Sequence, residues 1–226
     1  MLNAEDFKPS IFHDNGLGGQ ILLMTHKESP DLSFTVKYEL PSQSHYEYIG
    51  QHLIKALGYD AIPAELMLFP DRCASAIRYI PNLQRISLNT AASLSVEQER
   101  KFIGLFVLNG LINNPDAGEI YLGSDGKIYC LDLGETLCGI RPEQVQDSFQ
   151  IRLDYCLNNI TQSDEFTAND IIDAAADMLI AISELDISRM QPCLDELARC
   201  SFVRLAQRFQ MTLEHLKNCA LIELNR

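Results

Sequence analysis

The chain has 226 residues, 46% of them hydrophobic and 22% charged, which is ordinary for a globular protein with room for one large domain or two small lobes. Its 31 acidic residues against 18 lysines and arginines leave a net charge of -13, which repels phosphate backbones and sets nucleic acid aside as a main partner. No apolar run is long enough to cross a bilayer, and the opening MLNAEDFKPSIF lacks the basic start and apolar stretch of a secretory signal. A cytoplasmic protein without a transmembrane segment is therefore expected, and the composition also permits delivery as an effector that uses no such signal.

Residues 10–40 read as short strands broken by turns. QILLMTHK (20–27) and LSFTVKYEL (32–40) flank the polar turn ESPD, a hairpin signal. Ahead of them, NGLGG (15–19) can bring backbone amides close to a ligand. A helix follows, with Ser42 or Ser44 as its cap; Tyr46, Ile49, Leu53, Ile54 and Leu57 recur at helical spacing and Gly58 ends it. AIPAELMLF (61–69) and CASAIRYI (73–80) are strand-like around the turn PDR, and Pro81–Asn82 makes a hinge.

Beyond the hinge the pattern turns helical. SVEQERKFIGLFVLNGLI (95–112) opens on a serine cap and is apolar almost all round, as a helix inside a lobe must be. NNPDAG (113–118) breaks it. EIYL (119–122) and KIYCLDL (127–133) flank the tight turn GSDG. Helices are expected over about 142–160, 167–184, 188–200 and 202–223, with Thr167 and Ser188 as caps. The seven cysteines (Cys73, Cys130, Cys138, Cys156, Cys193, Cys200, Cys219) show no C-x-x-C pair and the five histidines do not cluster with them, which fits reduced, buried thiols better than a disulfide frame or a zinc site.

Four features carry chemistry. The glycine turn holding Gly16, Gly18 and Gly19 can form an anion-binding nest of backbone N–H groups, though a plain hairpin turn has the same composition. Lys37 lies within FTVKYE on an otherwise apolar strand; it points either to solvent or into a cleft toward the phosphates of a nucleotide. Glu47, early in the next helix, is either a helix-dipole acid or a partner that returns to fix Lys37. Asp116, in the loop, and Asp132, at a strand end after KIYCL, are either turn residues or the two carboxylates that phosphoryl transfer needs, one near the attacking hydroxyl and one on Mg²⁺. Glycine turn, strand lysine, helix glutamate, hinge, buried helix, loop aspartate, hairpin and D-L-G follow one another in the order of a protein-kinase-like fold. The expected fold class is α+β, with a small β-rich N-lobe (1–80) and a mainly helical C-lobe (81–226).

HYEYIGQHLIKALGYDAIPAEL resembles the N-lobe helix and following strand of HipA-like kinases, and FVLNGLINNPDAGEIYLGSDGKIYCLDLGETL resembles their catalytic segment. The likeness runs from about Gly16 to Thr136, and the length suits the short form of that family. The resemblance implies ATP and Mg²⁺ (or Mn²⁺) as cofactors, Lys37 on the nucleotide phosphates with Glu47 bracing it, Asp116 at the acceptor hydroxyl, Asp132 on the metal, and Arg78, Tyr79 and Ile80 in the hinge along the adenine. It implies an ATP-dependent phosphotransferase acting on a protein Ser/Thr hydroxyl. Two alternatives stand beside it, a kinase for a small molecule or lipid headgroup, and a pseudokinase that binds nucleotide and a partner protein. The chain departs from the family pattern at Tyr121, where kinases place a metal-binding asparagine about five residues after the catalytic aspartate. It also lacks the usual basic residue near that aspartate, and NGLGGQ matches G-x-G-x-x-G only loosely. Glu119 could supply a replacement metal ligand, or Asn113 or Asn114 could approach from the other side.

Overall fold

A computed structural model describes residues 1–14, 20–37, 41–91, 93–112, 119–133, 142–160 and 166–225. The glycine turn, the loop carrying Asp116, Asn113 and Asn114, and Cys138 lie outside the described residues.

The N-terminal part is a six-stranded sheet. Strands β1 (Leu2–Asn3), β2 (Phe7–Asp14), β3 (Gln20–His26), β4 (Ser33–Lys37), β5 (Ala64–Leu68) and β6 (Cys73–Arg78) lie in the order β1-β5-β6-β4-β3-β2. Only the β1–β5 pairing is parallel. The expected hairpin is β3–β4, with Ile21 opposite Lys37 and Thr25 opposite Ser33. Strand alternation divides the sheet into two faces. Phe34 and Val36 join Phe7, Met24, Met67, Ala74 and Ala76 in a small core on one face. Thr35 pairs with Ile77, which belongs to the main core on the other face, and Lys37 two residues on shares that side.

Helix α1 (Pro41–Ala56) covers that second face. It starts at Pro41, a residue suited to a first helical position because its missing N–H is not needed there. Ser42 and Ser44 therefore lie inside the helix and are not its cap. Gly58, at φ 85°, turns the chain out of it as expected. Helices from the C-terminal part press on the far side of α1, so it is buried nearly all round. Tyr46 meets Phe209 edge-on at 5.0 Å, the His45 ring lies 4.1 Å from that of Phe202, and the Tyr48 hydroxyl donates to Glu196 at 2.6 Å.

After Asn82, which takes a left-handed φ of 59°, come β7 (Gln84–Arg85), α2 (Leu88–Ala91) and α3 (Val96–Leu111). The α3 start is a reciprocal capping box: Gln98 N–H donates to Ser95 Oγ and Ser95 N–H to Gln98 Oε1. Strands β8 (Ile120–Leu122) and β9 (Ile128–Cys130) form the second expected hairpin, and β7 adds to β8. Helices α4 (Pro142–Asn159), α5 (Ala168–Ser183), α6 (Gln191–Arg199) and α7 (Val203–Leu224) complete the chain close to their expected bounds. Thr167 caps α5 through Asp170. Ser188 caps nothing: it sits inside a 3₁₀ turn, Ile187–Met190, whose cap is Asp186. Among the described residues, no helix is long and apolar enough to cross a membrane.

His45 tests this packing. It is fully buried, its Nδ1 lies 3.3 Å from Ser75 Oγ, and burial pushes its imidazole down to about 4. A base whose folded pKa is depressed stabilises the fold fully above its unfolded value of 6.5 and loses that contribution as pH falls toward 4. Urea unfolding should show the wild type losing about 2 kcal/mol more than His45→Gln between pH 7 and pH 4.5.

Candidate functional site

Two of the expected residues meet directly. Lys37, at the end of β4 on the α1 side of the sheet, forms an ion pair with Asp132 just beyond β9. The pair joins the N-terminal sheet to the β8–β9 hairpin across 95 residues of sequence. Asp132 is exposed while Leu133, its neighbour, is completely buried. Asp132 also has φ 53°, the left-handed region, which aspartate tolerates better than most residues but which still has to be held by its surroundings.

One face of α1 does the holding. Glu47, Gly50 and Gln51 stand three and four residues apart, hence on one side of the helix. The Leu133 N–H donates to the Glu47 carboxylate. A Cβ on Gly50 would come within 2.7 Å of Leu133 Cδ1 and 2.9 Å of its Cβ, so the missing side chain is the seat for leucine. Gln51 donates from Nε2 to the Cys130 carbonyl at 2.7 Å and to Glu47 at 3.2 Å, and its Oε1 accepts the Ile62 N–H at 2.9 Å. Asp132 is thus the exposed residue between two clamped ones.

Glu47 is itself buried, and desolvation raises its carboxyl above the usual carboxylate range. The Lys37 ammonium and the donors Gln51 and Leu133 oppose that rise. The arrangement is a partly exposed lysine with one exposed carboxylate against it and a buried carboxylate close enough to feel its charge.

The remaining expected residues are placed differently. Arg78 pairs with Phe34, so its side chain lies on the sheet face opposite Lys37; its guanidinium donates to the Asp31 carbonyl at 2.7 Å and covers the Phe34 ring at 5.7 Å. Only its backbone is left to line a hinge. Tyr79 N–H donates to the Ser33 carbonyl at 2.8 Å and its ring meets Phe12 at 5.4 Å, while Ile80 packs on the main core. Glu119 accepts from the Tyr121 hydroxyl and pairs with Arg85 at 2.8 Å. Burial first, and the bond to Glu119 second, push the Tyr121 phenol up to about 12, so it stays a donor at neutral pH. Among the described residues, no group of three or more histidine, cysteine or acidic side chains is gathered as a metal cluster. Asp116, Gly16, Gly18 and Gly19 lie outside the described residues.

Sequence reasoning passed over Gly50, Gln51 and Arg85. Gly50 carried a signal, a glycine inside a helix between Ile49 and Leu53 of its apolar face, which marks close approach of another element. Gln51 carried a weaker one, its i+4 spacing from Glu47. Arg85 carried none, because β7 is two residues long.

The chain has an α+β, two-lobed protein-kinase-like fold. The crystal structure of a Helicobacter pylori proinflammatory kinase, CtkA, superimposes with a TM-score of 0.61 at 15% identity, covering 97% of this chain and 96% of that one. No protein-family model and no curated protein sequence matches the chain.

The Gly50 seat gives a direct test. Gly50→Ala should destabilise the protein by about 1–3 kcal/mol in urea unfolding, as overpacking of a filled core does. It should also expose Leu133, read as loss of amide-exchange protection at its N–H.

Proposed function

We propose that the chain is an ATP-dependent phosphotransferase acting on a protein Ser/Thr hydroxyl. The observation that carries this reading is the Lys37–Asp132 pair, set at the junction of sheet and hairpin in a kinase-like fold and fixed by the Glu47, Gly50 and Gln51 face of α1. The kinase activity in the name of the CtkA structure supports the same direction.

In this reading Lys37 neutralises phosphate charge and positions the nucleotide, and Glu47 keeps the lysine's surroundings negative. Asp132 offers exposed carboxylate oxygens beside Lys37, the hard donors that Mg²⁺ or Mn²⁺ takes. The metal, when bound, supplies charge neutralisation on the transferred phosphoryl group. Asp116 orients or deprotonates the acceptor hydroxyl.

One observation favours a second reading, a pseudokinase that binds nucleotide and a partner protein without transfer. The position of the usual metal-binding asparagine is Tyr121, whose hydroxyl is directed at Glu119, and Glu119 is further engaged by Arg85.

Melting curves and labelled-ATP transfer separate the two. With Mg²⁺ or Mn²⁺ and ATP at a hundredfold its dissociation constant, the wild type should gain about 2.7 kcal/mol of stability, a shift of several degrees. Asp132→Asn should lose most of that metal-dependent shift and at least about a hundredfold of transfer. Asp116→Ala should lose transfer while keeping the nucleotide shift. A nucleotide shift without transfer under either metal selects the pseudokinase, and no shift with any nucleotide rejects both.

A further inference from the structure

A cavity lies in the helical part, and its lining includes neither Lys37 nor Asp132. It encloses about 500 Å³ between the β7–α2 segment, α3 and α4, in the size range that takes one small organic ligand. Its apolar wall is a run of rings: Phe102 and Phe106 at 6.1 Å, and Phe106 and Tyr155 at 6.0 Å and 16° to each other. Ser87 and Asn159 add neutral polar groups, and among the described residues the lining contains no carboxylate.

Two arginines line this space, Arg85 and Arg152. Arg152 is the built one. Its stem runs through a notch that exists because residue 110 is glycine: a Cβ there would come within 2.5 Å of Arg152 Cγ and 2.8 Å of Nε. Its guanidinium then lies over the Phe106 ring at 4.9 Å. Among the described residues no carboxylate forms an ion pair with it, although desolvation already weighs against its charge. A half-buried cation left without an anion costs stability unless something else is gained. In a chain of net charge -13, a cavity whose described lining holds Arg152 with no carboxylate paired to it, and Arg85 paired to Glu119, is a local departure from the acidic whole.

We propose that this cavity is a binding site for a small organic anion carrying its charge on an aromatic ring, an aryl phosphate or aryl carboxylate. The ring stacks on the Phe106–Tyr155 wall and the charged group takes the Arg152 fork, with Arg85 at the rim. Planar donors that accept two oxygens at once suit phosphate and carboxylate alike. Arg85 links the site to the hairpin, since it also pairs with Glu119. An anion that draws Arg85 inward thus competes with Glu119 for it. The site stands or falls independently of nucleotide binding at Lys37.

The test is calorimetric titration of the full chain with phenyl phosphate, benzoate and inorganic phosphate. Phenyl phosphate should bind at least about tenfold more tightly than inorganic phosphate, because only it uses the rings. Arg152→Met should weaken it about tenfold or more, Arg152→Lys should restore only part of the loss, and Tyr155→Ala, at a half-exposed wall residue, should weaken the aryl ligands while leaving inorganic phosphate unchanged. Lys37→Met should leave the Arg152-dependent preference for phenyl phosphate over inorganic phosphate in place. Benzoate binding with the same dependence on Arg152 marks the site as reading charge on a ring and not phosphate itself. Loss of phenyl phosphate binding in Lys37→Met with retention in Arg152→Met would place the ligand in the other cleft and overturn the proposal, as would no binding, or equal affinity for phenyl and inorganic phosphate.

Discussion

The bond from the Leu133 N–H to the buried Glu47 carboxylate is the constraint on which the rest of the site depends. It joins the helix that covers the sheet to the chain leaving the hairpin, and it works because its neighbours finish the job. Gly50 leaves a seat for the leucine side chain, and Gln51 ties down the Cys130 carbonyl two residues before Asp132. A carboxylate buried at this depth gains little net stability, since its desolvation offsets most of what the hydrogen bonds return. What it provides is position: a satisfied polar network in a low-dielectric core fixes one geometry over its alternatives. Asp132 is left exposed and left-handed because both of its flanks are fixed, and Lys37 reaches it from a strand whose direction is set by the sheet alone.

That helix is in turn held from behind. His45, Tyr46 and Tyr48 contact Phe202, Phe209 and Glu196, so the C-terminal helices bear on the same element that grips the hairpin. The site is therefore coupled to both parts of the molecule through α1. A shift of α1 along its axis by one residue would remove the Leu133 seat and the Glu47 acceptor together. Packed elements of this kind change between discrete arrangements and do not deform smoothly.

Much of this was legible in the sequence. The apolar helix after Ser95, the two hairpins and the four later helices announced themselves by long periodic runs and clear turn residues. Elements of two to four residues, β1, β7 and α2, could not, because periodicity needs more residues than they have. Caps were read less well than helices: Pro41 displaced Ser42 and Ser44, and Asp186 displaced Ser188, since any serine near a boundary fits the pattern and only backbone geometry chooses. At the site, the strand lysine and the strand-end aspartate were legible as chemistry out of place in apolar runs. Glu47 was legible as a partner for Lys37, but the gripping face was not, because Gly50 and Gln51 acquire meaning only when Leu133 and Cys130 are brought to them from a distant segment. Arg78 shows the converse. Its position in the chain suited a hinge, but the register with Phe34 turns its side chain to the other face.

The departure at Tyr121 is best weighed through the partners of Glu119. Arg85 is 61% exposed in its side chain, and an exposed ion pair contributes about 0–1 kcal/mol, so Arg85 can leave Glu119 at little cost. Tyr121 is the firmer partner: its phenol is partly buried, holds its proton at neutral pH and shares a hairpin with the residue it bonds. A cation approaching Glu119 therefore meets one weak competitor and one strong one. Freeing Glu119 as a ligand requires the phenol to rotate, whereas freeing it from the arginine requires only solvent.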